Sequence, residues 1–179
     1  MTTIPEQLRY PIGKWNRPEH FDPSALPAQI NTIRNFPAKL AAAVAALDDK
    51  QLDTPYRPEG WTVRQVVHHC GDSHANALIR FKLALTEELP TIKPYLEDRW
   101  AELADGKSIP VQPSLLLLEG LHARWTVLLQ SLEEPQWQRG FIHPEHGREL
   151  KLFQVLSLYA WHCDHHLAHI IELKKREGW

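Results

Sequence analysis

The chain has only two cysteines, Cys70 and Cys163, too few for a disulfide framework in 179 residues. Both sit inside apolar helical patterns as small buried hydrophobes, which fits a reducing compartment, so the expected location is the cytoplasm. No segment approaches the ~20 apolar residues that a membrane span needs. The N-terminal M-T-T-I-P-E-Q-L-R-Y-P has no uninterrupted apolar run of the signal-peptide kind. Neither export nor insertion is expected. Excess charge is missing too: the formal net charge is -2 and the cations are scattered, so nothing offers a grip on nucleic acid or an anionic membrane. Small-molecule ligands remain. Internal repeats and low-complexity tracts are absent, and the length suits a single self-sustaining domain over 1–179.

Histidine, by contrast, is concentrated. Seven of the eleven histidines fall in two segments, 68–74 and 162–169. The second, Y-A-W-H-C-D-H-H-L-A-H, holds two i, i+4 pairs, His162/His166 and His165/His169, and on a helix each pair puts two imidazoles one turn apart on one face. Val155, Tyr159, Ile170 and Leu173 form the apolar stripe of that helix. His162 and His166 share it, while His165 and His169 sit nearer its edge beside Glu172. The inward pair is therefore His162/His166, and burying it requires a polar partner, of which a metal ion is the simplest.

The remaining elements read as follows. Residues 1–23, with Pro5, Pro11, Pro18 and Pro23, form an irregular arm lying along the body. Helix one spans Ser24 to Leu47, with Pro37 expected to kink or split it. A capping box, Thr62 with Gln65, starts helix two, which runs to about Leu85 with Val63, Val66, Cys70, Ala77 and Phe81 inward. His69, Ser73, Asn76 and Arg80 follow the border of that face, and His68 points away. A long connection from Pro90 to Pro113 carries one short helix around Tyr95 to Leu103, with Glu97 and Trp100. Ser114 caps helix three, whose inward seam (Leu115, Leu118, Leu121, Trp125, Leu128, Leu132) is apolar. A small β-hairpin around P-E-H-G within Gly140 to Leu152 precedes helix four, Lys151 to Arg176. The expected fold is an all-α four-helix bundle with a long connection between helices two and three and this hairpin before helix four.

Bundles build metal sites from inward side chains on facing helices, and helix two offers His69 to complete the pair. Three neutral nitrogens leave a fourth position open, the mark of a catalytic rather than a structural site. Taken alone, His69 reads better as a satisfied, half-buried histidine than as a ligand, and it is the concentration of histidines that favours metal. Without an H-E-x-x-H glutamate the pair does not indicate a metalloprotease. Cys70 and Cys163 each follow a proposed ligand, and adjacent helical residues diverge by about 100 degrees, so a mixed Cys/His set is disfavoured. A triad from Asp72, Ser73 and His74 fails because sequence neighbours on a helix cannot align as a relay. Most of the seven tryptophans read as core or helix-end residues, Trp100 being the one assigned to a pocket mouth. For Arg80, a structural carboxylate and a substrate anion stand as equal alternatives.

Four blocks, L-R-Y-P-I-G-K-W, W-T-V-R-Q-V-V-H-H-C-G-D-S-H-A-N, Y-L-E-D-R-W-A-E-L and Y-A-W-H-C-D-H-H-L-A-H-I, together resemble the YfiT branch of the DinB superfamily, in family order and over nearly the whole chain. The resemblance implies a four-helix bundle with one divalent ion per chain, zinc or nickel, bound through His69, His162 and His166. It also implies a homodimer acting as a metal-dependent hydrolase on a small molecule. Relatives in the superfamily use the metal to activate a low-molecular-weight thiol such as bacillithiol or mycothiol, which implies an S-transferase as the alternative. A non-catalytic metal-binding or interaction bundle is the rival from another class. The expected pocket lining is Ser73, Asn76, Arg80, Glu97 and Trp100, with Asp164 and Glu97 as further groups for orienting ligands or moving protons.

Overall fold

The computed structural model describes residues 5–145 and 147–179. The first four residues of the arm and His146 of the P-E-H-G turn lie outside the described residues. In chain order the elements are α1 (Glu6–Arg9), α2 (Leu26–Val44), α3 (Asp49–Leu52), α4 (Val63–Thr86), α5 (Glu97–Trp100), α6 (Ala104–Lys107), α7 (Gln112–Gln130), α8 (Glu134–Trp137), β1 (Gly140–His143), β2 (Arg148–Lys151) and α9 (Leu152–Glu177). The long helices α2, α4, α7 and α9 form the bundle. α2 packs on α7 and α9, and α4 packs on the same two, so α2 and α4 lie diagonally opposite each other. The first two long helices are thus not neighbours, and α3 with the Pro55–Gly60 turn carries the chain across one end.

α4 begins where its capping box places it. Thr62 Oγ1 accepts from the Gln65 amide at 3.1 Å, while the Gln65 side chain accepts from the Thr62 amide at 3.0 Å. We expect Thr62→Ala to cost about 1 kcal/mol, read as a fall in Tm of about 2–4 °C. The first three turns of α4 are buried nearly all round. His68, expected to point away, is buried because α7 and the preceding loop cover it, its Nδ1 meeting Ser114 Oγ at 2.7 Å. Ser114 is accordingly not the cap of α7, which starts two residues earlier at Gln112 with no side-chain cap.

Pro37 does not split helix one: α2 runs unbroken from Leu26 to Val44. Proline has no N–H to give the carbonyl four residues back, Ile33, and that carbonyl is taken instead by His122 Nδ1 of α7 at 2.6 Å. The innermost edge of α7 is Leu118, His122, Trp125 and Leu129, with Leu115, Leu121, Leu128 and Leu132 only partly buried. The seam therefore carries a buried histidine where sequence periodicity predicted only apolar residues. A helix lodged between two neighbours turns one narrow edge, rather than a whole heptad face, to the centre.

The hairpin pairs Gly140 with Lys151 through His143 with Arg148. It holds the long connection in place: Ile142 N–H donates to the Pro90 carbonyl at 2.9 Å and Ile92 N–H to the Ile142 carbonyl at 3.1 Å. Gln65 pins the same connection from α4, donating to the Ala101 carbonyl at 2.8 Å. The N-terminal arm lies along α9, with Trp15 Nε1 donating to Ser157 Oγ at 3.2 Å and Trp161 Nε1 to the Gly13 carbonyl at 3.0 Å. Between Pro5 and Pro11 it forms the helical turn α1, where its prolines spoke against a helix. Cys70 and Cys163 are free thiols within the core, and burial pushes both thiols up. No helix among the described residues is long and apolar enough to cross a membrane.

Candidate metal centre

α4 and α9 pack side by side, and their facing histidines meet near the start of α4 and midway along α9, at a cavity that the hairpin also lines. His69 Nε2 lies 3.3 Å from His162 Nε2. One ring nitrogen each from His69, His162 and His166 can be chosen so that all lie within 4.8 Å of one another. Two nitrogens bound at about 2.0–2.1 Å to a tetrahedral zinc stand about 3.3 Å apart, so the donor set fits a divalent ion without rearrangement of the first pair. The rings are also neutral, as metal ligands must be. Burial pulls His69 down to about 4, and burial together with neighbouring imidazoles holds His162 and His166 well below the usual histidine range.

These rings line a cavity of about 430 Å³ whose walls include Trp61, Ser73, Arg80, Glu97, Phe141, His143, Tyr159 and Trp161. Two larger hollows, of about 720 and 730 Å³ along α2 and α7, contain no histidine in their linings. Trp61 stands 4.6 Å from the His69 ring, centroid to centroid. The turn before it is tight: a Cβ at Gly60 would sit 2.7 Å from Arg57 Cγ, so only glycine closes the turn without displacing Arg57. Tyr159 of α9 lies beneath, its hydroxyl 3.3 Å from Ser73 Oγ and 3.2 Å from the Ser73 carbonyl.

Of the residues expected around the pocket, Ser73, Arg80 and Glu97 line it and two do not. Asn76 donates back to the Asp72 carbonyl of its own helix at 2.9 Å, and Trp100 packs on Tyr95 at 4.5 Å, outside the lining and 40% exposed. Asp164 is on the exposed side of α9. No carboxylate among the described residues lies within ion-pair distance of Arg80. Desolvation raises the Glu97 carboxyl, an effect that the charge of Arg80 opposes.

His165 and His169 depart from the edge position that the stripe of α9 assigned them. Both are buried, because the arm and the Tyr56 turn cover that side of the helix. His169 stacks on Tyr56 at 3.9 Å and its Nε2 meets the Arg9 carbonyl at 3.2 Å, while His165 stacks on Trp161 at 4.3 Å. His165, His166 and His169 also bring ring nitrogens within 4.8 Å of one another. Because the Arg9 carbonyl can only accept, it takes the Nε2–H of His169 and leaves its Nδ1 a lone pair. The Nδ1 atoms of all three rings are buried without a hydrogen-bond partner among the described residues. What sets the first trio apart is that all three of its rings line the cavity, which His169 does not.

Sequence reasoning missed two more histidines. Behind His162, His74 Nε2 lies 3.0 Å from His162 Nδ1, and His74 Nδ1 lies 2.7 Å from His122 Nε2. Both added rings are fully enclosed. The available signal was a histidine midway between Leu118 and Trp125 on an apolar face, four and three residues from each.

A helical bundle with a histidine cluster gathered from two facing helices defines the class, and sequence comparison gives it a family. The pattern of the DinB superfamily matches residues 32–170, and the chain belongs to that superfamily, in its YfiT-like branch. It is 50% identical over 179 residues to the Bacillus subtilis protein named "Putative metal-dependent hydrolase YfiT", covering all of this chain and 99% of that one. A Bacillus cereus protein named "Putative metal-dependent hydrolase" is 55% identical over 172 residues, 96% of this chain and 98% of its own length. The solved structure of Bacillus subtilis YfiT, described as an unusual four-helix bundle topology, superposes with a TM-score of 0.94 at 51% identity over 97% of this chain and 99% of that one.

Proposed function

We propose that the chain is a metal-dependent hydrolase whose single divalent ion, zinc or nickel, is held by His69, His162 and His166. The observation that carries this reading is the 3.3 Å approach of His69 Nε2 to His162 Nε2 at the wall of the cavity, with His166 in reach. An ion held by these three neutral nitrogens would lower the pKa of a bound water and polarise an electrophile. The chain's own residues do the rest. Trp61, Phe141 and Tyr159 give the small substrate an apolar bed, and Arg80, free of carboxylate partners among the described residues, orients an electron-rich group of it. Glu97, with its raised carboxyl, is the group suited to exchanging a proton with solvent.

The names of the relatives support hydrolysis, and a low-molecular-weight thiol on the same ion is the rival nucleophile. Two buried free thiols fit the cytoplasm, and the exposed apolar side chains Leu116, Leu117 and Val127 of α7 fit a homodimer, which belongs to the same proposal. Metal analysis tests the site: about one equivalent in the native protein and less than about a tenth in His69→Ala and His166→Ala. A native protein without stoichiometric metal, or variants that keep it, would remove the basis of the reading. Monochlorobimane incubated with loaded protein, with and without candidate thiols, separates the nucleophiles, since turnover that needs no thiol sinks the transferase.

A further inference from the structure

We infer that His74 and His122 are positioning residues. With the Ile33 carbonyl they form a buried chain that fixes which nitrogen of His162 carries the proton and so turns the Nε2 lone pair of His162 toward the cavity. The functional meaning rests on the metal reading above, but the chain itself follows from geometry alone.

The polarity is decided at its far end. A carbonyl oxygen can only accept, so the 2.6 Å contact between Ile33 O and His122 Nδ1 requires a proton on that nitrogen. A neutral ring has one N–H, so His122 Nε2 is a lone pair, and the 2.7 Å contact to His74 Nδ1 makes that nitrogen the donor. By the same step His74 Nε2 is an acceptor, and the 3.0 Å contact to His162 Nδ1 puts the proton of His162 there. His162 Nε2, the atom 3.3 Å from His69 Nε2, is thereby left unprotonated. Without an ion, the Nε2–H of His69 donates into that lone pair, and the order runs head to tail from His69 to Ile33.

Neutrality of the two intermediate rings follows from enclosure. His74 is walled by Phe36, Trp125 and Tyr159, and His122 by Phe36 and Trp125, and among the described residues neither ring is hydrogen-bonded to a carboxylate that could hold a second proton. A charged imidazole there would be desolvated without a counter-ion.

The anchor depends on a residue of another helix. Ile33 lies in the middle of α2, where its carbonyl would ordinarily accept the amide four residues on. That residue is Pro37, which has no amide hydrogen, so the carbonyl is open to His122. A proline in α2 thus sets, through two imidazoles, the tautomer of a residue in α9. Metal-binding histidines ordinarily hand their second nitrogen to a carboxylate, a carbonyl or a water. Here the carbonyl is reached through two intervening rings.

Tautomers are read directly by long-range nitrogen–proton correlation spectra of the metal-free protein labelled at its histidine nitrogens, so the test does not depend on the metal reading. The expected result is Nδ1–H for His122, His74 and His162. An Nε2–H on His162 or on His122 overturns the inference. For function, the Kd of zinc is measured by chelator competition in His122→Phe and His122→Gln, each verified as folded by circular dichroism. Glutamine retains a donor for Ile33 and an acceptor for His74, whereas phenylalanine has neither. His122→Phe should weaken zinc binding by about 10- to 100-fold and His122→Gln by much less. Equal affinities in the two variants and the native protein would overturn the positioning role. Spectra showing the expected tautomers in a protein that binds no zinc at His69 would retain the chain while removing the metal reading.

Discussion

Acidifying the metal-free protein from about pH 7 to about pH 4 unfolds it cooperatively, with uptake of protons on unfolding. The cause is the number of imidazoles held neutral by burial. His122 is pulled down to about 4, and His169, first by burial and then by His165, to about 3. In the unfolded chain each returns to an ordinary value of about 6.5. Between those limits the unfolded state binds more protons than the native state, so stability is complete above about pH 6.5 and is lost as the pH falls toward 4. His122 alone, displaced downward from 6.5 to about 4, accounts for about 3 kcal/mol, to be set against a total stability of about 5–15 kcal/mol for a domain. Circular dichroism against pH, with the pH dependence of the denaturation midpoint as a proton count, measures the effect. A protein fully folded at about pH 4, or one whose unfolding takes up no protons, would contradict it.

Much of the local structure was legible because it is encoded locally. The Thr62 and Gln65 pair starts α4 where its spacing requires, and the hairpin and the ends of α9 fall within a residue or two of their sequence signals. His69, His162 and His166 were singled out because helical periodicity reports which side chains share a face. The same method fails wherever a second element does the covering. His165 and His169 read as edge residues because nothing in α9 announces that an arm about 160 residues earlier lies across them. His68 read as outward for the same reason, its cover being Ser114 and the loop before α7. Pro37 was legible as a helix problem, but its resolution, a carbonyl that accepts from a histidine of another helix, needs the packing of α2 on α7. Loop length does carry a signal for the diagonal placement of α2 and α4, since residues 45–62 join them where about 2–8 residues usually link neighbouring bundle helices.

Trp125→Ala should cost about 3–5 kcal/mol, a fall in Tm of about 6–20 °C. Trp125 is fully buried, and its ring meets Phe81 at 5.5 Å, Tyr159 at 5.5 Å, His122 at 5.7 Å and His74 at 6.1 Å, all edge to face. Truncation leaves a cavity lined by four rings held by three helices, which leaves little freedom for collapse, and that places the cost toward the upper part of the range. The acid transition of Trp125→Ala should still move toward neutral pH relative to the native protein, because the variant has about 3–5 kcal/mol less stability to lose. Water entering the void beside the two enclosed histidines raises their native proton affinity and so works against that shift. Trp125→Phe separates packing from hydrogen bonding. The indole Nε1 has no hydrogen-bond partner among the described residues, so phenylalanine loses volume but no bond and should retain more than half of the stability that alanine forfeits. Urea denaturation of the three proteins decides the matter: an alanine variant within about 1 kcal/mol of the native protein would show that Trp125 is not the keystone of the α4, α7 and α9 packing around the histidines.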